Sequence, residues 1–165
     1  MKQPLARDDS FRDVRVLVTG AAGFVGRWVA RCLSASQAAL TLAVRDAQAA
    51  KPIFARWGVE GAPVEADLAR PGAGRELVEA YGPQVIFNLA GYGVDRSEKD
   101  RELGRRINTE LVCELAAAVS RTSPGDWSGQ RFVHVGSAFE YGWVGGDLRE
   151  DGPVEPIGWY GESKL

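Results

Sequence analysis

At 165 residues the chain is long enough for one domain with a sizeable core, and 45% hydrophobic with 25% charged residues is the balance of an ordinary globular protein. A net charge of −2 and the lack of an apolar run near the roughly 20 residues of a membrane helix argue against a nucleic-acid partner, an anionic membrane surface or a spanning segment. Two cysteines and the single histidine, His134, make no metal constellation, so no metal is expected.

Residues 1–13 are charged, lack the apolar core of a signal peptide, and read as a flexible lead-in to a cytoplasmic protein. Residues 14–19 (VRVLVT) are a β-branched run suited to a buried strand. Gly20, Gly23 and Gly26 then recur every three residues, and an apolar-periodic helix follows to about Ser36, with Trp28 as helix packing. A strand, a glycine turn and a helix in that order form a phosphate cradle. The glycines admit backbone to a pyrophosphate, and the helix N-terminus offers free N–H groups and the positive end of its dipole. A plain turn needs one glycine rather than three in step, so the triplet in this setting points to a dinucleotide.

Residues 40–44 (LTLAV) form a second strand, ending at Arg45 and Asp46. An acid at this tip would hold the ribose of NAD, whereas an arginine accommodates the 2′-phosphate of NADP. Arg45 therefore favours NADP, with NAD as the alternative because Asp46 follows directly. Residues 47–57 read as a short helix and residues 63–66 as a short strand closing on Asp67 and Leu68. The Asp67 carboxylate can accept from an adenine amino group or cap the next segment. Residues 74–81 are helical, and residues 85–90 (VIFNLA) are the next buried strand.

Residues 91–106 form a polar loop running into a helix over residues 107–119, where Ile107, Leu111, Leu115 and Val119 keep helical spacing. Within it, residues 95–106 read as a solvated helix start of alternating charge, or Arg96 reaches a diphosphate. Cys32 and Cys113 fall in predicted helices and are expected to be buried, reduced thiols. Residues 122–129 are loop by composition, and residues 131–136 (RFVHVG) are the fifth strand, with His134 a neutral core histidine. Residues 137–159, rich in Gly, Pro and acid, form a long connection in which Trp143 and Trp159 anchor the loop or touch a substrate ring.

Strands alternating with helices imply a doubly wound α/β fold, a parallel sheet of Rossmann-like order 3-2-1-4-5. Ligands then lie beyond the carboxyl ends of the strands. That rule gathers Gly20, Gly23, Gly26, Arg45, Asp67, Leu89, Ala90, Gly91 and Ser137 onto one edge. Tyr160 and Lys164, four apart, share one face if their segment is helical. A nearby ammonium lowers the pKa of a phenol and fits it for proton transfer, and Ser137 can bond the same substrate oxygen.

In this order the motifs TGAAGFVG (19–26), ADL (66–68), NLAG (88–91), Asn108, GSAFEYG (136–142) and YGESK (160–164) resemble an extended short-chain dehydrogenase/reductase of the NAD-dependent epimerase/dehydratase family. The resemblance runs from Val14 to Leu165. It implies that Gly20, Gly23 and Gly26, with Ala22, Phe24 and Val25 of the same turn, line the pyrophosphate. Asp67 and Leu68 would flank adenine, and Leu89, Ala90 and Gly91 would back the nucleoside. Ser137, Tyr160 and Lys164 would be the catalytic set, with Tyr160 as acid/base, Lys164 holding ribose, and Asn108 helping to hold the site together. The sequence departs from the family pattern at Arg45, at Gly91 in place of a second alanine, and at Glu140-Tyr141-Gly142.

The resemblance implies an NAD(P)-dependent oxidoreductase or epimerase with a nucleotide sugar as its small-molecule substrate. The Glu-Tyr-Gly variant is similar to one in reductases of 4-keto-6-deoxy nucleotide sugars. Alternatives are an NADPH-dependent reductase of a small carbonyl compound, since Val44-Arg45-Asp46 resembles dihydroflavonol-reductase-like members, and a dinucleotide-binding module without chemistry. Family members continue past the position of Leu165 into a smaller substrate domain and commonly form homodimers. The expectation is a fragment: residues 14–165 as an incomplete dinucleotide-binding domain, with strand 5 an exposed edge and the Tyr160 helix barely one turn long.

Overall fold

The computed structural model describes residues 9–95 and 97–165. Five strands carry the apolar runs: β1 (Arg15–Thr19), β2 (Ala39–Val44), β3 (Ala62–Glu65), β4 (Val85–Asn88) and β5 (Phe132–His134). All pair in parallel, in the order β3-β2-β1-β4-β5 that the alternation with helices predicts. Val16 lies beside Leu40 on one flank and Val85 on the other, which places β1 at the centre.

Because strand side chains alternate, β1 feeds two cores. Val16 and Val18 join Ala30, Leu33 and Phe54 beneath α1 (Phe24–Ala35) and α2 (Ala47–Trp57). Leu17 joins Leu77, Ile86, Leu111 and Leu115 beneath α3 (Ala73–Tyr81) and α5 (Leu111–Ser120). The sheet is thus covered on both faces, and its C-terminal edge is left to loops.

Several boundaries differ from the sequence reading. The amides of Leu89 and Ala90 turn to the Thr19 hydroxyl, so β4 stops at Asn88. The helix expected from residue 107 begins earlier, as α4 (Arg101–Arg105), because Asp100 caps it by accepting from the Glu102 and Leu103 amides. It runs unbroken through a π-helical turn (Arg106–Glu110) into α5. The long connection holds one 3-10 turn (Ala138–Glu140) before α6 (Gly158–Lys164).

The expected lead-in is structured from Asp9 onward: Phe11 packs at 5.1 Å on the ring of Trp127 and at 6.2 Å on that of Phe87. Residues 1–8 lie outside the described residues. Cys32 and Cys113 are free thiols but exposed, which corrects the expectation of burial. The inward stripe of α1 is Gly26, Ala30 and Leu33, and that of α5 is Leu111, Leu115, Ala118 and Val119, so both cysteines fall off the stripe. His134 is half-buried rather than in the core, because β5 pairs only with β4 at the sheet edge. Trp28 packs edge-on against Trp57 at 4.5 Å between α1 and α2, although it is partly exposed. Among the described residues no helix is long and apolar enough to cross a membrane.

Candidate active site

β1 ends in the fully buried Thr19, and the chain then turns at Gly20 with φ +62°. A Cβ on Gly20 would lie 2.7 Å from the Leu89 carbonyl oxygen, and one on Gly26 would lie 2.1 Å from that of Gly20. Only glycine lets the turn close this tightly on the β4 loop and on α1. α1 begins after Gly23, and no side chain caps it, so the amides of its first turn remain free for a ligand.

Gly20, Ala22 and Gly23 line a cavity of about 520 Å³ at the switch between β1 and β4. Arg45 beyond β2, Asp67 and Leu68 beyond β3, and Leu89, Ala90 and Gly91 beyond β4 line it too. Phe24 and Val25 open α1 outside this lining and are 74% and 47% exposed; Gly26 lies behind the turn. At the tip of β2 the cavity edge carries the cation. Asp46 turns to α2, where its carboxylate accepts from the Ala49 amide at 2.9 Å. Asp67 lines the cavity, and its carboxylate accepts from the Ala69 amide at 3.0 Å in the turn that follows β3.

The sequence reading missed Tyr92, Glu98, Leu103 and Ile107 in the same wall. Leu103 and Ile107 are four apart, so the signal was present, but it needed the helix to start at Arg101. Glu98 shapes the loop after β4 by accepting from the amides of Gly93 at 2.8 Å and Asp95 at 3.2 Å. Arg96 lies outside the described residues.

Behind the cavity, Thr19 ties the strand ends together. Its hydroxyl donates to Asn88 Oδ1 at 2.5 Å and accepts from the Leu89 and Ala90 amides at 3.2 Å. Asn88 Nδ2 lies 3.1 Å from His134 Nδ1, which assigns Nδ1 as acceptor and the proton to Nε2. Burial and then the Lys164 cation hold the His134 pKa below its ordinary value, so the ring is neutral at pH 7, as the sequence reading expected.

The predicted catalytic residues form a second cluster, outside the cavity lining. Ser137 caps the 3-10 turn: its hydroxyl accepts from the Phe139 amide at 3.2 Å, and its own amide donates to Glu140 Oε1 at 2.6 Å. The Phe139 ring stands edge-on to Tyr160 at 6.1 Å, and its carbonyl accepts from the Ile157 amide at 2.9 Å. The tip of β5 and α6 are thereby locked together. Tyr160 and Lys164 share α6, as the spacing predicts. Lys164 is only 9% exposed, and burial lowers its pKa although Glu140 pulls the other way.

Asn108, in the π turn, joins this cluster to the cavity. Its Oδ1 accepts from the Tyr92 amide at 2.9 Å, and its Nδ2 donates to the Tyr92 carbonyl at 2.8 Å and to Ser163 Oγ at 2.9 Å. Trp159 adds a packing lock. A Cβ on Gly93 or on Gly104 would lie 2.5 or 2.4 Å from its indole, so Trp159 fills a slot between the β4 loop and α4. It anchors the segment as expected, whereas Trp143 is 92% exposed and anchors nothing.

The model of the NAD dependent epimerase/dehydratase family matches residues 16–165. The chain belongs to that family. Among curated members of similar sequence are a dTDP-4-dehydrorhamnose reductase of Burkholderia thailandensis (34% identical over 154 residues, 92% of this chain and 43% of that protein) and a dTDP-6-deoxy-L-talose 4-dehydrogenase (NAD(P)(+)) of Kitasatospora kifunensis (31% over 155 residues, 92% and 44%). The chain therefore spans less than half the length of these relatives. Among solved structures, the UDP-Glc/GlcNAc 4-epimerase of Campylobacter jejuni shares the fold with a TM-score of 0.73 at 21% identity, over 92% of this chain and 46% of that one. A short-chain dehydrogenase of Burkholderia cenocepacia in complex with NADP does so with a TM-score of 0.70 at 24% identity, over 94% and 64%. For this epimerase/dehydratase family member, the likeness accounts for the Rossmann-like order of the sheet.

Proposed function

We propose that residues 14–165 form the dinucleotide-binding part of an NAD(P)-dependent oxidoreductase acting on a nucleotide sugar, with reduction of a 4-keto-6-deoxy sugar as its reaction. The observation that carries this reading is the Gly20–Gly26 cradle at the uncapped start of α1, opening on a cavity whose wall Asn108 ties to the Tyr160 helix. No Cβ fits at Gly20, where the turn closes on the β4 loop, or at Gly26, where α1 packs on the turn; Gly23, the middle glycine, lines the cavity, and that division of labour supports a dinucleotide cradle. Both curated relatives named above carry dTDP-sugar activities in their names, which supports the substrate class.

In this reading Gly20, Ala22, Gly23, Phe24 and Val25 hold the pyrophosphate, while Asp67 and Leu68 flank adenine. Leu89, Ala90 and Gly91 back the nucleoside. Arg45 pairs with a 2′-phosphate, so NADP is preferred to NAD. The bound dinucleotide supplies the hydride. Tyr160 donates its phenolic proton to the oxygen of the reduced carbon, and Lys164, one turn on, stabilises the phenolate left behind. Ser137 orients the same oxygen, and Asn108 holds α6 in place. In the full-length protein, loss of NADPH absorbance on adding a dTDP-4-keto-6-deoxy sugar tests the reading. Tyr160→Phe is expected to cut turnover at least about 10²-fold while leaving NADPH affinity within a factor of a few. Turnover that survives this change, or NADPH binding without turnover of any nucleotide sugar, would contradict it.

A further inference from the structure

The loop after β3 brings Ala66, Asp67, Leu68 and Ala69 to the cavity without helix or strand of its own. It hangs instead from two charged side chains of the helix that faces it. Arg106, only 6% exposed, donates from Nε to the Ala69 carbonyl at 3.1 Å and from Nη2 to the Arg70 carbonyl at 2.8 Å. The same Nη2 lies 3.0 Å from Glu114 Oε1. Glu114 in turn accepts from the amides of Gly72 at 3.0 Å and Gly74 at 3.1 Å. Burial opposes the charge on Glu114, but donation from Gly72, Arg106 and Gly74 outweighs it and holds the carboxyl below its usual range. A Cβ on Gly74, in the first turn of α3, would lie 3.1 Å from Glu114 Cβ and from Leu111 Cδ1, so the helix into which the loop runs is pressed close to α5.

Arg106 stands two residues before Asn108 in one π turn. A π turn shifts side chains off the regular helical phase and is frequent at functional sites. Residues two apart on a helix face opposite ways, so this one turn sends Arg106 to the β3 loop and Asn108 to Tyr92, on different walls of the cavity. We infer that Arg106, backed by Glu114, is a positioning residue for the adenine end of the bound dinucleotide, because it fixes the loop that carries Asp67 and Leu68. This rests on the dinucleotide reading of the cavity. Neither residue lines that cavity, so each acts through the loop rather than by touching ligand.

The test uses Arg106→Lys and Glu114→Gln in the whole chain. Lysine keeps a cation opposite Glu114, but a single ammonium cannot serve two carbonyls and a carboxylate as the guanidinium fork does. Glutamine keeps the shape of Glu114 and removes its charge. Circular dichroism establishes that each variant is folded, and either folded variant decides the question. Hydrogen exchange at the Ala69 and Arg70 amides, which bond to Asp67 within the loop, reads the loop; exchange at the Tyr92 amide serves as control, and NADPH and NADH titrations read the ligand. Loop exchange faster by about tenfold, an unchanged Tyr92 amide, and Kd weakened by about tenfold are expected for the loss of one to two charge-assisted bonds. Unchanged loop exchange, or a loosened loop with unchanged Kd, would overturn the inference. Failure of the wild-type chain to bind either dinucleotide would overturn the cavity reading itself, and the wild-type titration alone distinguishes that outcome.

Discussion

Gly20 and Gly58 offer a matched pair of substitutions. Both sit in the left-handed region, with φ +62° and +63°, so alanine at either incurs the same backbone strain, about 1–2 kcal/mol. Around Gly58, the C-cap of α2, nothing lies within 4 Å of a new Cβ. At Gly20 the new atom would meet the Leu89 oxygen at 2.7 Å and the Ala90 nitrogen at 2.8 Å, and both are backbone atoms that cannot swing aside. Overpacking adds about 1–3 kcal/mol. Gly58→Ala should therefore cost about 1 kcal/mol and Gly20→Ala about 3 kcal/mol, Tm losses of about 3 °C and 10 °C for a chain of this size. Thermal unfolding followed by circular dichroism gives both numbers, and an NADPH titration of each variant gives the functional half. Gly58→Ala should bind as wild type. Gly20→Ala should not bind, because its relief displaces Leu89 and Ala90 from the cavity wall. Equal Tm and equal affinity for the two variants would refute the argument that the turn needs glycine for the close approach of β4.

Arg45→Ala should weaken NADPH about tenfold and leave NADH unchanged, since only the 2′-phosphate contact is lost; parallel titrations check this. Asn108→Ala strands the Tyr92 amide and carbonyl and removes one of the two bonds of Ser163 Oγ, and should cost about 3 kcal/mol in urea unfolding, with the proteolytic sensitivity of α6 raised. Glu114 has a folded pKa below its unfolded one, so its contribution is present above the ordinary carboxylate range and is lost as pH falls through the folded value. Glu114→Gln should therefore flatten the acid side of a stability-against-pH curve, while leaving its slope above neutral pH as in wild type.

Much of this was legible in the residues. The β-branched runs located every strand to within a residue or two at its start, and residues 47–57 form α2 as read, because capping and period agree there. The glycine triplet and the strand-end rule placed Arg45, Asp67 and the Leu89–Gly91 stretch on one cavity. What escaped depended on partners distant in sequence or on a broken period. The charged run over residues 95–106 was read as a helix start, but its first turn, set by the Asp100 carboxylate, could not be placed. A π turn has no 3.6-residue signature, and the task of Arg106 was invisible because it bonds backbone carbonyls more than thirty residues away. The Tyr160–Lys164 spacing was plain, yet the burial of Lys164 comes from packing around α6 that no local pattern reports. Cys32 was misread for the opposite reason: it lies between Ala30 and Leu33 in sequence but off their face of the helix.

The central claim is that the cavity between the glycine turn and the β3 and β4 loops holds a nicotinamide dinucleotide. Titration of the purified chain with NADPH, and separately with NADH, followed by nicotinamide fluorescence, tests it most directly. Saturable binding of one dinucleotide per chain, tighter for NADPH, is the expected result. A chain that is folded by circular dichroism and binds neither would contradict it.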